Sequence, residues 1–379
     1  MHELATLRTI DELTVPEELS GQFGTNRVAG TKIAATDDLA AVRAWYERFK
    51  DSPRTLDAYR REAERLILWC LVDAKKPLSS LTHEDFLRYQ EFLTNPKPEA
   101  LWIGKTKLPR THNGWKPFYK PLDARSVTHA MGIINNLMSW LVNASYLAAN
   151  PLSLRRKTKQ ASQKKRLTRY LDVAQLDTVL SAIDRLPTGS EKEQLIYERT
   201  RWVFRLFYLA GLRISEVCSN AMGGFQRIRD SKGVIRWNLI VIGKGNKERA
   251  IPVGSALLEA LMRYRQSVGL TPLPSPDETT PLVLSSKNRH LLQPIGRQAL
   301  DKIVKAAFDA AVQMLESSAS EEDRNSAMVL RFASAHWIRH SAGSHMADAG
   351  TDLRYIRDFL GHENIQTTSI YLQDRKSVV

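Results

Sequence analysis

Residues 235–253, IRWNLIVIGKGNKERAIPV, carry the reading that decides the architecture of the second half of this chain. Residues 235–242 and 249–253 alternate like strands, and Gly243-Lys244-Gly245-Asn246 between them has the turn chemistry of a hairpin. On both sides the period is helical: residues 172–186 and 191–210 precede the hairpin, and most of the chain from Leu257 onward follows it. From about residue 168 the sequence therefore predicts an α-rich domain with one small antiparallel sheet. A lysine at the hairpin tip reaches across a groove. The tip is not a phosphate-binding P-loop, because no Ser or Thr follows Lys244 and no glycine precedes it at the required distance. Taken alone, GKGN is a turn.

Upstream lies a different region. Asp37-Asp38 opens a helix with Leu39, Val42, Trp45 and Phe49 on one face, and Ser52-Pro53 opens a second with Leu56, Tyr59, Ala63, Leu66, Ile67 and Cys70. Thr82-His83-Glu84-Asp85 resembles a capping box, and a further helix runs over about residues 126–144. Residues 37–150 read as a small all-helical domain, preceded at 1–36 by a leader with no sustained period. Inside the domain, residues 95–121 hold five prolines and two glycines, with Trp102, Trp115, Phe118 and Tyr119 among Lys105, Lys107, Arg110 and Lys116. This loop is either an irregular segment whose aromatics pack on the helices or a basic arm for a DNA backbone. Asn150-Pro151 ends the domain, and 151–167 reads as a basic linker containing Arg155, Arg156, Lys157, Lys159, Lys164, Lys165 and Arg166. A charge run of this kind is a solvated surface or a phosphate-tracking segment, and its place between two domains favours the second.

The chain has 379 residues, 43% of them hydrophobic, enough for about two domains. No apolar run approaches a membrane span, and the first twenty residues lack the basic and apolar regions of a signal peptide, which favours a cytoplasmic location. Two cysteines, Cys70 and Cys218, leave no disulfide framework or Cys-based metal site. The net charge of +14 is uneven: residues 1–50 hold 6 Lys+Arg against 8 Asp+Glu, leaving 49 against 33 elsewhere. That balance fits a polyanionic partner, though ribosomal, membrane-surface and nucleic-acid proteins share it.

Candidate chemistry lies in the last third. Arg213, Lys244, His336, Arg339 and His362 precede Tyr371. A phenol of ordinary pKa about 10 is a poor nucleophile at neutral pH, so its grouping with cations suggests attack on a strongly anionic centre such as a phosphodiester. Each residue also has a plain reading. Gly211 stops an apolar helix and leaves Arg213 just beyond a rigid end, where Glu216 pairs with it, but a surface ion pair reads the same way. His336 and Arg339 share a helix face. His336 and His340 are four apart, but HWIRH lacks the Glu of a zinc-binding HExxH, and His340 and His345 default to packing or capping. A tyrosine near a C-terminus is ordinarily a half-buried anchor.

Order and neighbourhood change this balance. The set embedded in LAGLRISEV, GKGNKERAIPV, HWIRHSAGSHMADAG and IRDFLGHENIQTTSIY resembles the tyrosine recombinase family, the phage-type integrases, over about residues 168–373. The module at 37–150 is similar to that family's core-binding domain. The resemblance implies a mainly α fold: an all-helical, SAM-like core-binding domain plus an α-rich catalytic domain at 168–379 with a small antiparallel sheet, closing as a C-shaped clamp on double-stranded DNA. It implies that Tyr371 attacks a phosphodiester to give a 3′-phosphotyrosyl link and a free 5′-hydroxyl. Arg213 and Arg339 would hold the non-bridging oxygens and Lys244 would protonate the leaving oxygen. His336 would accept the Tyr371 proton or donate to a phosphate oxygen, His362 would add a hydrogen bond, and Glu216 would support the set.

The resemblance also implies no metal and no nucleotide cofactor, since arginines supply the positive charge and the phosphotyrosine keeps the bond energy. It further implies a monomer or weak dimer when free, and four protomers exchanging strands through a Holliday junction. The expected place of action is the nucleoid. The residues after Tyr371, 372–379, are few for a family whose C-terminal segment often docks on a neighbour. The pattern leans toward a transposon, plasmid, genomic-island or Xer-like recombinase. A type IB topoisomerase and a non-catalytic DNA-binding protein are the competing readings.

Overall fold

The computed structural model describes residues 7, 9–106, 108–154, 169–229, 231–286, 291–318, 320–369 and 371, together with the backbone but not the side chain of Lys244. The chain divides into two compact units, Met1–Ser162 and Gln163–Val379.

The first unit is built on α1 (Asp38–Glu47), α2 (Pro53–Trp69), α3 (His83–Thr94), the short α4 (Glu99–Trp102) and α5 (Ala124–Asn143). Asp37 caps α1 through the Ala40 N–H, and Thr82 with Asp85 closes the capping box at α3. The apolar stripes of α1, α2, α3 and α5 meet in one core around Trp45, Trp69, Tyr89, Ile134 and Leu137. The segment before α1, without periodicity in sequence, is packed as well. Ile10 is buried, and backbone N–H groups of Asn26, Val28 and Lys32 donate to the carbonyls of Ser79, Tyr146 and Ala144. Scattered bonds of this kind leave no period to read.

Three aromatics of the proline-rich loop pack on the helices of the first unit. Trp102, Trp115 and Phe118 are buried in the core, and Phe92 meets Trp102 edge-on with ring centroids 4.8 Å apart. Arg110 forms a bidentate pair with buried Glu64, both contacts at 2.6 Å, and Lys116 donates to the Ala100 carbonyl. Lys105 is exposed. Lys107 lies outside the described residues, as do Arg155, Arg156, Lys157, Lys159, Lys164, Lys165 and Arg166 of the linker.

The second unit contains α6 (Val173–Asp184), α7 (Glu191–Leu209), α8 (Ile214–Ser219), a sheet of β1 (Phe225–Arg229), β2 (Ile235–Ile242) and β3 (Glu248–Val253), then α9 (Ser255–Ser267), α10 (Arg297–Glu316), α11 (Glu321–Leu330), α12 (Ala335–Asp348), α13 (Leu353–Leu360) and α14 (Ile365–Thr368). Strand order is β1-β2-β3, antiparallel throughout, with Phe225 and Ile251 both facing Leu239 across the ladder. β1 is the strand that sequence periodicity overlooked: only Phe225 of its five residues is buried, so no alternation shows. α7 is the spine of the unit, packed against α6, α9, α10 and α12. α13 sets Ile356, Phe359 and Leu360 into the core beside α12 and β3. Its C-terminal end organises the site.

Candidate active site

Two helix ends meet in this unit. α7 stops at Leu209, and Gly211 takes a left-handed φ of 56°, so that Arg213 becomes the N-cap of α8. An added Cβ on Gly211 would lie 2.8 Å from the Phe359 ring, so this turn must be tight as well as left-handed. α13 ends at Leu360, with Gly361 also left-handed at φ 61°.

The last carbonyls of a helix have no partner within it and carry the negative end of its dipole. Here three successive ones accept from three different arginines. Arg249 Nε donates to Phe359 O (3.1 Å), Arg339 Nη2 to Leu360 O, and Arg213 Nη2 to Gly361 O (2.6 Å). Arg339 Nη1 also donates to Gly211 O, so one guanidinium clasps both helix ends.

A single carboxylate binds the cluster from the other side. Glu216, 2% exposed, accepts from the Arg213 backbone N–H (2.8 Å) and Arg213 Nη1 (2.8 Å), and from Arg249 Nη1 (2.9 Å) and Nη2 (2.8 Å); Arg339 Nη1 lies 4.0 Å away. Burial alone would raise the Glu216 pKa, but the bonds from Arg249 and Arg213 and the charge of Arg339 outweigh it and hold the carboxyl down at about 2. Arg339, 3% exposed, is drawn down to about 9 by burial and by Arg213, and it stays charged at neutral pH. Three guanidiniums face one carboxylate, so the cluster keeps a positive excess for an anion.

Tyr371 packs beside these arginines, 2% exposed, with its ring against Gly343 of α12, where an added Cβ would fall 2.7 Å from Cζ. Glycine within a helix costs about 1 kcal/mol relative to alanine; at Gly343 it makes room for the phenol. Burial raises the Tyr371 pKa to about 12 despite Arg339 and Arg213. The hydroxyl meets His340, with Oη 2.9 Å from Nδ1, and His340 Nε2 lies 2.8 Å from His336 Nε2. The two imidazoles stand edge to face, their centroids 4.2 Å apart. His362 lies nearly parallel to the phenol at 6.3 Å and contacts Thr368 Oγ1 through Nδ1 (3.0 Å). Burial, helped by nearby positive charge, lowers the pKa of all three histidines, to about 4 for His340 and His362.

A buried phenol, an imidazole pair and a preassembled arginine cluster together form a site suited to nucleophilic attack on a phosphodiester. The model of the phage integrase family matches residues 169–377 of this chain. The chain belongs to the phage integrase family. Among curated tyrosine recombinases it is similar to XerD of Rickettsia conorii, 29% identical over 291 residues and covering 76% of this chain and 85% of that protein. It is likewise similar to XerC of Xylella fastidiosa, 27% identical over 322 residues, covering 84% and 86%. Its fold is that of the XerH site-specific recombinase solved with a palindromic difH substrate, with TM-score 0.59, 16% identity and coverage of 98% and 99% of the two chains. The Tn1549 transposon integrase solved with transposon right-end DNA gives TM-score 0.54 at 15% identity, covering 87% and 94%.

Of the recombinase residues expected from sequence, Arg213, Glu216, Arg339, His336, His362 and Tyr371 gather in this one site. Lys244 occupies the β2–β3 tip in a short 3-10 turn, Lys244–Asn246. Two participants were not expected. His340, assigned to packing, stands between His336 and Tyr371. Arg249 is the second cation on Glu216; its signal was available, because strand alternation puts it on the same face as Ile251 and Val253, where a charge needs a partner. Among the described residues no group of three His, Cys, Asp or Glu side chains gathers at metal-ligating distance, and none of the described helices is long and apolar enough to cross a membrane.

Proposed function

We propose that this protein is a site-specific tyrosine recombinase that cleaves and rejoins double-stranded DNA through a 3′-phosphotyrosyl intermediate. The observation that carries the proposal is the convergence of Tyr371 with Arg213 and Arg339 in a cluster already held by Glu216 and the end of α13. Attack by Oη on phosphorus places charge on the non-bridging oxygens. Arg213 and Arg339 are planar donors, charged at neutral pH and fixed before the substrate arrives, so little reorganisation opposes that charge. Loss of one such donor removes about 3–4 kcal/mol of transition-state stabilisation. Lys244, on its hairpin, protonates the leaving 5′-oxygen, and His336 and His362 donate to the phosphate. The phosphotyrosine conserves the bond energy, and a 5′-hydroxyl from another strand reverses the step.

Four protomers assembled on two sites exchange strands in pairs through a Holliday junction, and the free protein is a monomer or weak dimer. The protein acts on nucleoid DNA in the cytoplasm. The basic residues at 155–166 contribute phosphate contacts, so affinity falls steeply with salt.

The test is covalent capture. Sites are first recovered by selecting genomic fragments on the full-length protein, then offered as nicked duplexes and resolved on a denaturing gel. Wild type gives an adduct and Tyr371→Phe gives none; an adduct that persists in Tyr371→Phe removes the assignment. Relaxation of any supercoiled plasmid without a selected site or junction formation would instead indicate topoisomerase action.

A further inference from the structure

We infer that His340 is the base that takes the proton from Tyr371, and that His336 receives the proton displaced from the far nitrogen of His340. The inference rests on the reading of Tyr371 as nucleophile and adds a residue and a direction of proton flow to it. Among the described residues, His340 Nδ1 is the basic atom in hydrogen-bond contact with Oη. The contacts at 2.9 and 2.8 Å form an unbroken line from Oη through Nδ1 and Nε2 of His340 to Nε2 of His336.

A neutral imidazole has one N–H and one acceptor nitrogen. If Tyr371 donates to Nδ1, His340 carries its proton on Nε2, donates it to His336 Nε2, and His336 keeps its own proton on Nδ1. Both contacts are then satisfied by one consistent set of protons. As the O–P bond forms and the P–O5′ bond breaks, the phenol proton passes to Nδ1 and the Nε2 proton passes to His336, while Lys244 supplies a separate proton to the leaving oxygen. His340 ends neutral with its tautomer reversed, and His336 ends as an imidazolium on the exposed side of the pair. The new charge forms beside a phosphate gaining negative charge. In the DNA-free site burial, helped by the nearby arginines, favours the neutral form of both rings, so the line starts without an extra proton.

The test uses single-turnover cleavage of the nicked duplex by the full-length protein, with DNA binding measured in parallel. His340→Ala should lose about 100-fold or more in cleavage rate, the usual scale for a positioned base, with DNA binding retained. His340→Gln keeps a hydrogen-bond partner of similar reach and should remain as slow. Replacing Tyr371 with 3,5-difluorotyrosine, whose phenol ionises more readily, should recover most of the rate in both variants. A bridging 5′-phosphorothiolate, which relieves only the leaving oxygen, should not. On that phosphorothiolate duplex, the solvent-isotope proton inventory should curve for wild type, with two protons in flight, and become linear for His336→Ala.

A wild-type rate in His340→Gln reduces His340 to a positioning residue, and failure of fluorotyrosine to help removes it as the base. If His340→Ala cleaves normally while wild type still forms the Tyr371 adduct, this inference falls and the recombinase reading stands. If wild type forms no adduct, both fall. If His340→Ala does not fold, the glutamine and fluorotyrosine arms decide alone.

Discussion

Glu216→Gln isolates the one negative charge that gathers the arginines. Glutamine matches the side chain in size but turns one acceptor oxygen into a donor, so at least one of the contacts from Arg213 or Arg249 at 2.8–2.9 Å would set donor against donor. Two routes give the size of the effect. A carboxyl held at about 2 against an ordinary 4.5 has its charged form favoured by about 3 kcal/mol, and removing one partner of a buried ion pair destabilises by about 3–5 kcal/mol. Both point to a loss of about 3–4 kcal/mol at neutral pH, or a fall of about 10 °C in the melting temperature of a unit this size. The assay is unfolding of the full chain without DNA, with hydrogen exchange locating the loss to α8, β3 and the end of α13. Adding Arg249→Met to Glu216→Gln should give back part of the loss, because a largely enclosed cation without its partner is then removed. A loss under about 1 kcal/mol, or strict additivity of the two substitutions, would refute the view of the cluster as charge-organised.

Gly343→Ala should slow covalent adduct formation by about 100-fold, the scale of a misplacement near 1 Å, because the new methyl would meet Tyr371 Cζ at 2.7 Å and Leu360 Cδ1 at 3.0 Å. DNA binding should persist, and wild-type adduct formation would show that the phenol has room to spare. Stability should also depend on pH. Folded His340 and His362 take up protons only near 4, against 6.5 for an ordinary imidazole. Below about 6.5 the unfolded chain therefore binds protons that the folded chain refuses, and stability, complete above that value, falls as the pH drops toward 4. Glu216 extends the loss from 4.5 toward 2. Melting temperatures from neutral pH to about 5 should decline and the decline should be shallower in His362→Asn; a flat profile in wild type would contradict the buried, neutral histidines.

Local chemistry written along the chain was legible in sequence. α6 (Val173–Asp184) and β2 (Ile235–Ile242) lie where periodicity placed them, because each repeats or alternates against one buried face. The capping box at Thr82 and the left-handed stop at Gly211 were likewise local, each set by one or two residues. β1 and the packed segment before α1 were not legible, since edge exposure and scattered backbone bonds leave no period.

What the sequence determined by itself is the ordered set of reactive residue types and the helices and hairpin that carry them, because side-chain chemistry and short-range backbone preference act over a few neighbours. Which of those side chains touch was decided by the tertiary structure. Arg249, Arg339 and Arg213 come from a strand, a helix and a helix cap, and they meet only because α13 ends where three unpaired carbonyls and one buried carboxylate can hold them. His340 looked like packing in the sequence because its partner, Tyr371, is 31 residues away along the chain and 2.9 Å away across Gly343 and the end of α13. Proximity of that kind is set by how helices pack, and no local pattern records it.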